Sequence, residues 1–119
     1  MIDHIELKTR HLADSVRFYS EVLQPLGYAL KMDGATKGWG DGKSLDMFIV
    51  EGEAASDVHF AFAVPSRATV DVIYALARGA GHTLDRAPAL APNIHANYYA
   101  AYLRDPDGRL VEFVCQRVE

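Results

Sequence analysis

Four side chains of this 119-residue chain have the types and spacing to do chemistry together: His4, Asp46, His59 and Glu112. Neutral imidazole nitrogen and carboxylate oxygen are the donors that suit zinc, iron, manganese, nickel or cobalt in proteins. Three such ligands leave positions open for water or substrate, as a catalytic ion requires, and a fourth from Asp46 would close one of them. Cys115 is the only cysteine. An intrachain disulfide and a thiolate-type structural zinc site are therefore both excluded.

Each of the four has an ordinary alternative. A histidine on the polar face of a strand is usually just solvated, and Glu112 could pair with Arg109 or Arg117 as a surface ion. Position is what draws them together. The histidines stand at the front of two similar alternating runs, DHIEL at Asp3–Leu7 and VHFAF at Val58–Phe62, offset by 55 residues. The same offset carries Tyr19 onto Tyr74, and an offset of 54 carries Gly27 onto Gly81 and Leu30 onto Leu84. An offset of 66 carries Asp41-Gly42 onto Asp107-Gly108, Asp46 onto Glu112 and Phe48 onto Val114. Extra residues in an Ala87–Ala96 loop absorb the growth in offset. The expectation is a single domain over 1–119 made of two modules, 1–55 and 56–119, alike in the order of their elements.

Those elements follow from hydrophobic spacing. Alternation predicts a first strand at Ile2–Lys8. Val16, Tyr19, Leu23 and Leu26 recur at helical spacing and predict a helix over Asp14–Leu23, stopped by Pro25 and Gly27. Strands at Tyr28–Met32, Thr36–Gly40 and Ser44–Val50, separated by Asp-Gly turns, complete the first module. The second begins with a strand at Asp57–Val64 and a Ser66-capped helix to about Arg78, which Gly79 and Gly81 end. A strand at His82–Arg86, a proline-punctuated loop at Pro88–Pro92, and strands at Asn97–Arg104 and Leu110–Gln116 follow. One strand face, with Leu7, Met47, Ile49, Phe60, Val111 and Phe113 among its members, is apolar and ready for the helices to cover. The opposite face collects His4, Glu6, Asp46, Phe48, His59, Ala61, Ala63, Glu112, Val114 and Gln116. If a pseudo-twofold relates the modules, His4 pairs with His59 and Asp46 with Glu112.

Other groups lie near this face. Tyr99 and Asn97 share one side of their strand and Tyr98 and Tyr102 the other, so only one set can face the site, with His95 just ahead of them. The remaining tyrosines would then be core or dimer contacts. Trp39 and Phe48 could line an apolar wall or simply pack, and Arg67 and Arg104 could meet an anionic substrate or water. Lys and Arg number 12 against 16 Asp and Glu, a net charge of −4 without a basic stripe, so nucleic acid is not the expected partner. No apolar run approaches the ~20 residues of a membrane span. Met1-Ile2-Asp3-His4 has neither the basic nor the apolar region of a secretory signal, so the expected setting is the cytoplasm.

The same residues carry a family resemblance. The opening MIDHIELKTRHLADSVRFYSEVLQPLGY, the central VHFAFAVPSRATVD and the close NYYAAYLRDPDGRLVEFVC resemble the vicinal oxygen chelate superfamily over essentially the whole chain. That superfamily holds glyoxalase I, bleomycin resistance proteins, fosfomycin resistance enzymes and extradiol dioxygenases. The resemblance implies an α+β fold of two βαβββ modules with curled mixed sheets around a central cavity (glyoxalase/bleomycin resistance/dioxygenase-like). It implies a divalent metal ion (Zn, Ni, Mn, Co or Fe) on His4, His59 and Glu112, with Asp46 at the fourth position, where glyoxalase I typically has Glu, Gln or His. Glu112 would be the catalytic carboxylate, with Asp46 as the other candidate for general base. Phe48, Tyr99, Asn97 and His95 would touch a small-molecule substrate, and the chain would form a homodimer. The activity implied is that of a small metal-dependent isomerase, lyase or group-transfer enzyme on a substrate with two adjacent oxygens. The weaker version is an extradiol dioxygenase, since those enzymes usually combine more modules. The alternative is a non-catalytic binding protein of bleomycin-resistance type that sequesters a small molecule.

Overall fold

Strands with one apolar face and helices with one apolar stripe bury both by laying the helices across the sheets. The computed structural model, which describes all 119 residues, has this arrangement. The first module runs β1 (Ile5–Thr9), α1 (Leu12–Leu23) extended by a 3-10 turn at Gln24–Leu26, β2 (Ala29–Asp33), β3 (Thr36–Gly40) and β4 (Leu45–Glu51). The second runs β5 (His59–Ala63), α2 (Arg67–Gly79), β6 (Thr83–Leu90), β7 (Tyr99–Arg104) and β8 (Leu110–Cys115). Each module folds its strands into its own sheet, in the orders β1-β4-β3-β2 and β5-β8-β7-β6. In both, the first and last strands pair in parallel and the other pairs are antiparallel. The fold is the expected α+β pair of βαβββ modules.

The core spans both modules. Phe18, Tyr19, Val22 and Leu23 of α1 and Val70, Ile73 and Ala77 of α2 join Met47, Ile49, Val111 and Phe113 in one buried cluster. Each large side chain so buried contributes about 1.5–3 kcal/mol. Trp39 belongs to this core, where its indole N–H donates to Ser20 Oγ at 3.1 Å, and lines no open wall. Ser66 caps α2 by accepting from the Thr69 amide at 3.1 Å, as its position predicts. Gly27 and Gly81, matched by the repeat, take φ of +80° and +81° after their helices, a backbone that L side chains disfavour. α1 begins two residues before Asp14, which lies in its first turn, at the positive end of the helix dipole.

One expected loop is a strand. β6 continues through Ala87–Leu90, which includes Pro88. It lies at the edge of its sheet, where a residue without an N–H leaves no ladder bond missing. A Cβ on Gly40 would lie 1.9 Å from the Ser44 carbonyl oxygen, whereas one on Gly34 would meet nothing within 4 Å. Gly40→Ala is therefore expected to cost about 1–3 kcal/mol in urea unfolding by overpacking against backbone, with Gly34→Ala nearly neutral. Equal midpoints for the two variants would contradict this.

A buried polar joint ties the modules together. Arg109, 1% exposed, donates from Nη1 to Asp105 Oδ2 at 3.0 Å, from Nε to the Ala55 carbonyl at 3.0 Å, and from Nη2 to the Lys8 carbonyl. Asp105 Oδ1 accepts from the Asp107 and Arg109 amides, and Asp105 Oδ2 accepts from the Tyr19 hydroxyl. Asp107 accepts from the Thr9 hydroxyl and the Arg10 amide. Burial, then the Asp105 charge, pushes the Tyr19 phenol well above its usual range and keeps it a donor. The Asp-Pro-Asp-Gly-Arg stretch is thus the clamp between the β7–β8 turn and the β1–α1 corner.

Candidate functional site

Parallel pairing sets the site's register. Glu6 faces Phe48 across β1 and β4, and Ala61 faces Glu112 across β5 and β8. Glu6 and Ala61 are related by the offset of 55 that aligns the histidines, so the structural counterpart of Glu112 is Phe48, not Asp46. The expected Asp46–Glu112 equivalence is off by two residues. Its anchor, the Asp-Gly pairs, sits differently in the two turns: Asp41-Gly42 follows β3 directly, whereas Asp107-Gly108 comes two residues later after β7. Asp46 is also the extra residue of a bulge, since Trp39 pairs with Met47 and Gly40 with Leu45. Its carboxylate accepts from the Tyr28 hydroxyl at 2.5 Å, a bond that pushes the Tyr28 phenol up to about 12.

Each module sets its histidine against the counterpart residue on the neighbouring strand. In the first, the His4 ring meets Phe48 edge-on at 5.6 Å. In the second, His59 Nε2 lies 2.9 Å from Glu112 Oε1. Phe48 can lie across β3 because Gly38 has no side chain; a Cβ there would approach the Phe48 ring to 3.1 Å. Glu112 is 3% exposed although it faces away from the helices, on what is here termed the open face. Its cover is aromatic. Tyr98, just ahead of β7, donates its hydroxyl to Glu112 Oε2, and Tyr102 stands directly opposite Glu112 in register. The Tyr102 ring is 6.3 Å from the His59 ring, and the Arg86 guanidinium lies 3.8 Å over its centroid. Burial first, and then Glu112, pushes both phenols up.

The other sequence-derived candidates lie apart from this pair. Tyr99 points toward α2, where it donates to Asp71 Oδ1 at 2.6 Å with Arg67 over its ring at 5.5 Å. His95 Nδ1 accepts from the Asn97 amide at 3.2 Å in the exposed turn before β7. Glu112 pairs with neither Arg109 nor Arg117, because Arg109 is consumed by the joint. Tyr98, Tyr102 and Arg86 are the neighbours that spacing alone did not select. Alternation had reduced the tyrosines to two sets, and Arg86 was hidden by a bulge.

Three of the four expected ligands fall into two half-sites, His4 beside Phe48 in the first module and His59 with Glu112 in the second, while Asp46 is held by Tyr28. Within one chain, no three His, Cys, Asp or Glu side chains come together in a group that could hold a metal ion. The second half-site nevertheless fits one. Two donor atoms bound to a common ion at ~2.1 Å stand roughly 3.0–3.4 Å apart, from octahedral to tetrahedral angles. His59 Nε2 and Glu112 Oε1, hydrogen-bonded at 2.9 Å, need to part only slightly to reach that spacing.

Two mixed sheets, each built as βαβββ and each with a polar face turned from its helix, define the class of fold. The family model described as the Glyoxalase/Bleomycin resistance protein/Dioxygenase superfamily matches residues 1–113, and the chain belongs to that superfamily. Among solved structures it is similar to a glyoxalase/bleomycin resistance protein from Albidiferax ferrireducens (TM-score 0.81, 23% identity, 95% of this chain and 97% of that one). It is also similar to a lactoylglutathione lyase from Agrobacterium tumefaciens (0.70, 21%, 97% and 92%). A third is a genomically encoded fosfomycin resistance protein from Listeria monocytogenes (0.74, 18%, 97% and 92%). At these identities the likeness bears on the fold alone. No curated protein matches the sequence. No helix is long and apolar enough to cross a membrane.

Proposed function

We propose that this chain is a small metal-dependent enzyme acting on a substrate with two adjacent oxygens, and that each site is completed by a second copy. The observation that carries this reading is the His59–Glu112 pair, 2.9 Å apart on the open face, with His4 at the repeat-equivalent place of the other sheet. His59, Glu112 and His4 would hold the divalent ion, and Asp46, engaged by Tyr28, lies outside the set. When bound, the ion supplies Lewis-acid stabilisation of negative charge developing on substrate oxygen. The chain's own groups do the rest. Tyr98 orients Glu112 through Oε2 and leaves Oε1 toward His59, and the two phenols exclude water from the carboxylate. Glu112 is then placed to take a proton from a carbon or oxygen beside it.

Metal analysis tests the reading. The purified protein is expected to hold about one divalent ion per chain, and His59→Ala to lose it. His4→Ala mixed with His59→Ala is expected to recover part of the content, because a mixed dimer rebuilds one intact site. A native protein that holds no ion and takes none up would sink the enzyme reading and leave the sequestering binder.

A further inference from the structure

We infer that Arg86 is the substrate-recognition residue of this open face, and that the molecule bound there carries an oxyanion on an apolar body. The inference rests on the reading above only in taking the open face of the second sheet as the binding face.

The strand register carries it. Leu84 pairs with Leu103 in the core, and an undisturbed strand would turn Arg86 to the same side two residues on. Instead Arg86 pairs with Tyr102, because Asp85 is an extra residue that flips the strand. Three residues later Ala89 pairs with Ala100 across a second irregularity. Bulges of this kind re-aim a side chain, and they concentrate beside functional sites. The result is a straight row across four strands, Arg86, Tyr102, Glu112 and Ala61, all on the open face. The backbones of Arg86 and Glu112 stand two strand spacings, about 10 Å, apart, and the Arg86 guanidinium reaches over the intervening Tyr102 ring.

The fold itself does not call for a cation there. The first module has the same bulge at the same place, with Leu30 opposite Trp39 and Met32 opposite Gly38. Methionine occupies the position that arginine occupies in the second module. Arg86 has one carboxylate partner within the chain, Asp85, and shares it with Arg104. Its one internal bond is from Nε to Asp85 Oδ1 at 3.4 Å, and the other oxygen of Asp85 already accepts from Arg104 Nε at 3.0 Å. The Arg86 guanidinium sits over the Tyr102 ring, 3.8 Å from its centroid, a cation–π contact that positions the fork. Neither Nη group has a hydrogen-bond partner within the chain. A planar fork held in this way suits bidentate recognition of a carboxylate, phosphate or phosphonate.

The neighbouring row explains the apolar body. Ala89, Ala100, Val114 and Ala63 follow one another in register beside the first row. Ala100 and Val114 are buried and Tyr98 packs against them, so the apolar surface left to a ligand is the half-buried Tyr98 ring together with Ala89. A ligand body lying against the Tyr98 ring would reach from Arg86 toward His59 and leave the aromatic cover of Glu112 in place.

Titration of the purified protein with phenylacetate, phenylphosphonate and neutral phenylacetamide, followed by calorimetry and by the arginine Nε–H resonances, tests the inference. At least one anion is expected to bind more tightly than the amide. Arg86→Gln is expected to weaken that anion at least about tenfold and to leave the amide unchanged, with Arg86→Lys intermediate. Which anion binds more tightly distinguishes a carboxylate from a phosphonate subsite. Absence of anion binding, equal binding of anion and amide, or unchanged anion binding in Arg86→Gln would each overturn it. Metal content measured on the same samples keeps the two readings separate: anion binding lost in Arg86→Gln stands even where no ion is found.

Discussion

Replacing Arg109 by alanine is expected to lower folding stability by about 3–5 kcal/mol, the cost of removing one partner from a buried ion pair. The side chains of Arg109 and Asp105 are 1% and 0% exposed, so solvent cannot take over the lost contacts. The substitution strands the Asp105 carboxylate, brings a second carboxylate, Asp107, under the same loss, and orphans the carbonyls of Lys8 and Ala55. For a chain of this size that corresponds to a fall in Tm on the order of 10–20 °C. Arg109→Lys is expected to recover little, because an ammonium cannot reach three separated acceptors as a planar fork does. Arg109→Ala combined with Asp105→Asn is expected to cost less than the two single changes added, since the uncompensated charge is gone. A loss below about 1 kcal/mol for Arg109→Ala, the value of an exposed pair, would mean that the joint does not hold the modules together.

The second large effect concerns metal affinity. Tyr98→Phe removes the hydroxyl that donates to Glu112 Oε2 and loosens the hold on the carboxylate. Loss of such an orienting partner typically costs 10–100-fold in metal affinity, and a fall of about that size is expected in chelator competition. Tyr99→Phe is the control: its hydroxyl bonds Asp71 on the helix side, so affinity is expected to stay within about twofold. A Tyr98→Phe protein with native affinity would show that Glu112 is positioned by packing alone or is no ligand.

Much of the fold was legible from spacing. Ile5 and Leu7, Phe60 and Phe62, and Val111 and Phe113 alternate with polar or small residues, and each strand turns the apolar set to the helices as alternation requires. The paired glycines at 27 and 81 end their helices with matching backbone. Pro88 misled because proline breaks an interior strand but not an edge one, and edge position is a tertiary fact. Asp46 misled for a related reason. Its match to Glu112 rested on turn residues, and a turn can shift along the chain while the ladder beyond it stays in place.

By itself the sequence offered His4, Asp46, His59 and Glu112 as candidates, of which the structure brings His59 and Glu112 together, and it determined the two-module order and the faces of most strands. Those features depend on local spacing, which a one-dimensional pattern carries in full. Only the tertiary structure decided register. One residue inserted at Asp85 sends Arg86 from the core side to Tyr102, and two residues in the placement of a turn exchange Asp46 for Phe48 as the counterpart of Glu112. Side-chain direction in a strand has a period of two, so a single bulge reverses everything beyond it, and only the partner strand shows where the bulge lies.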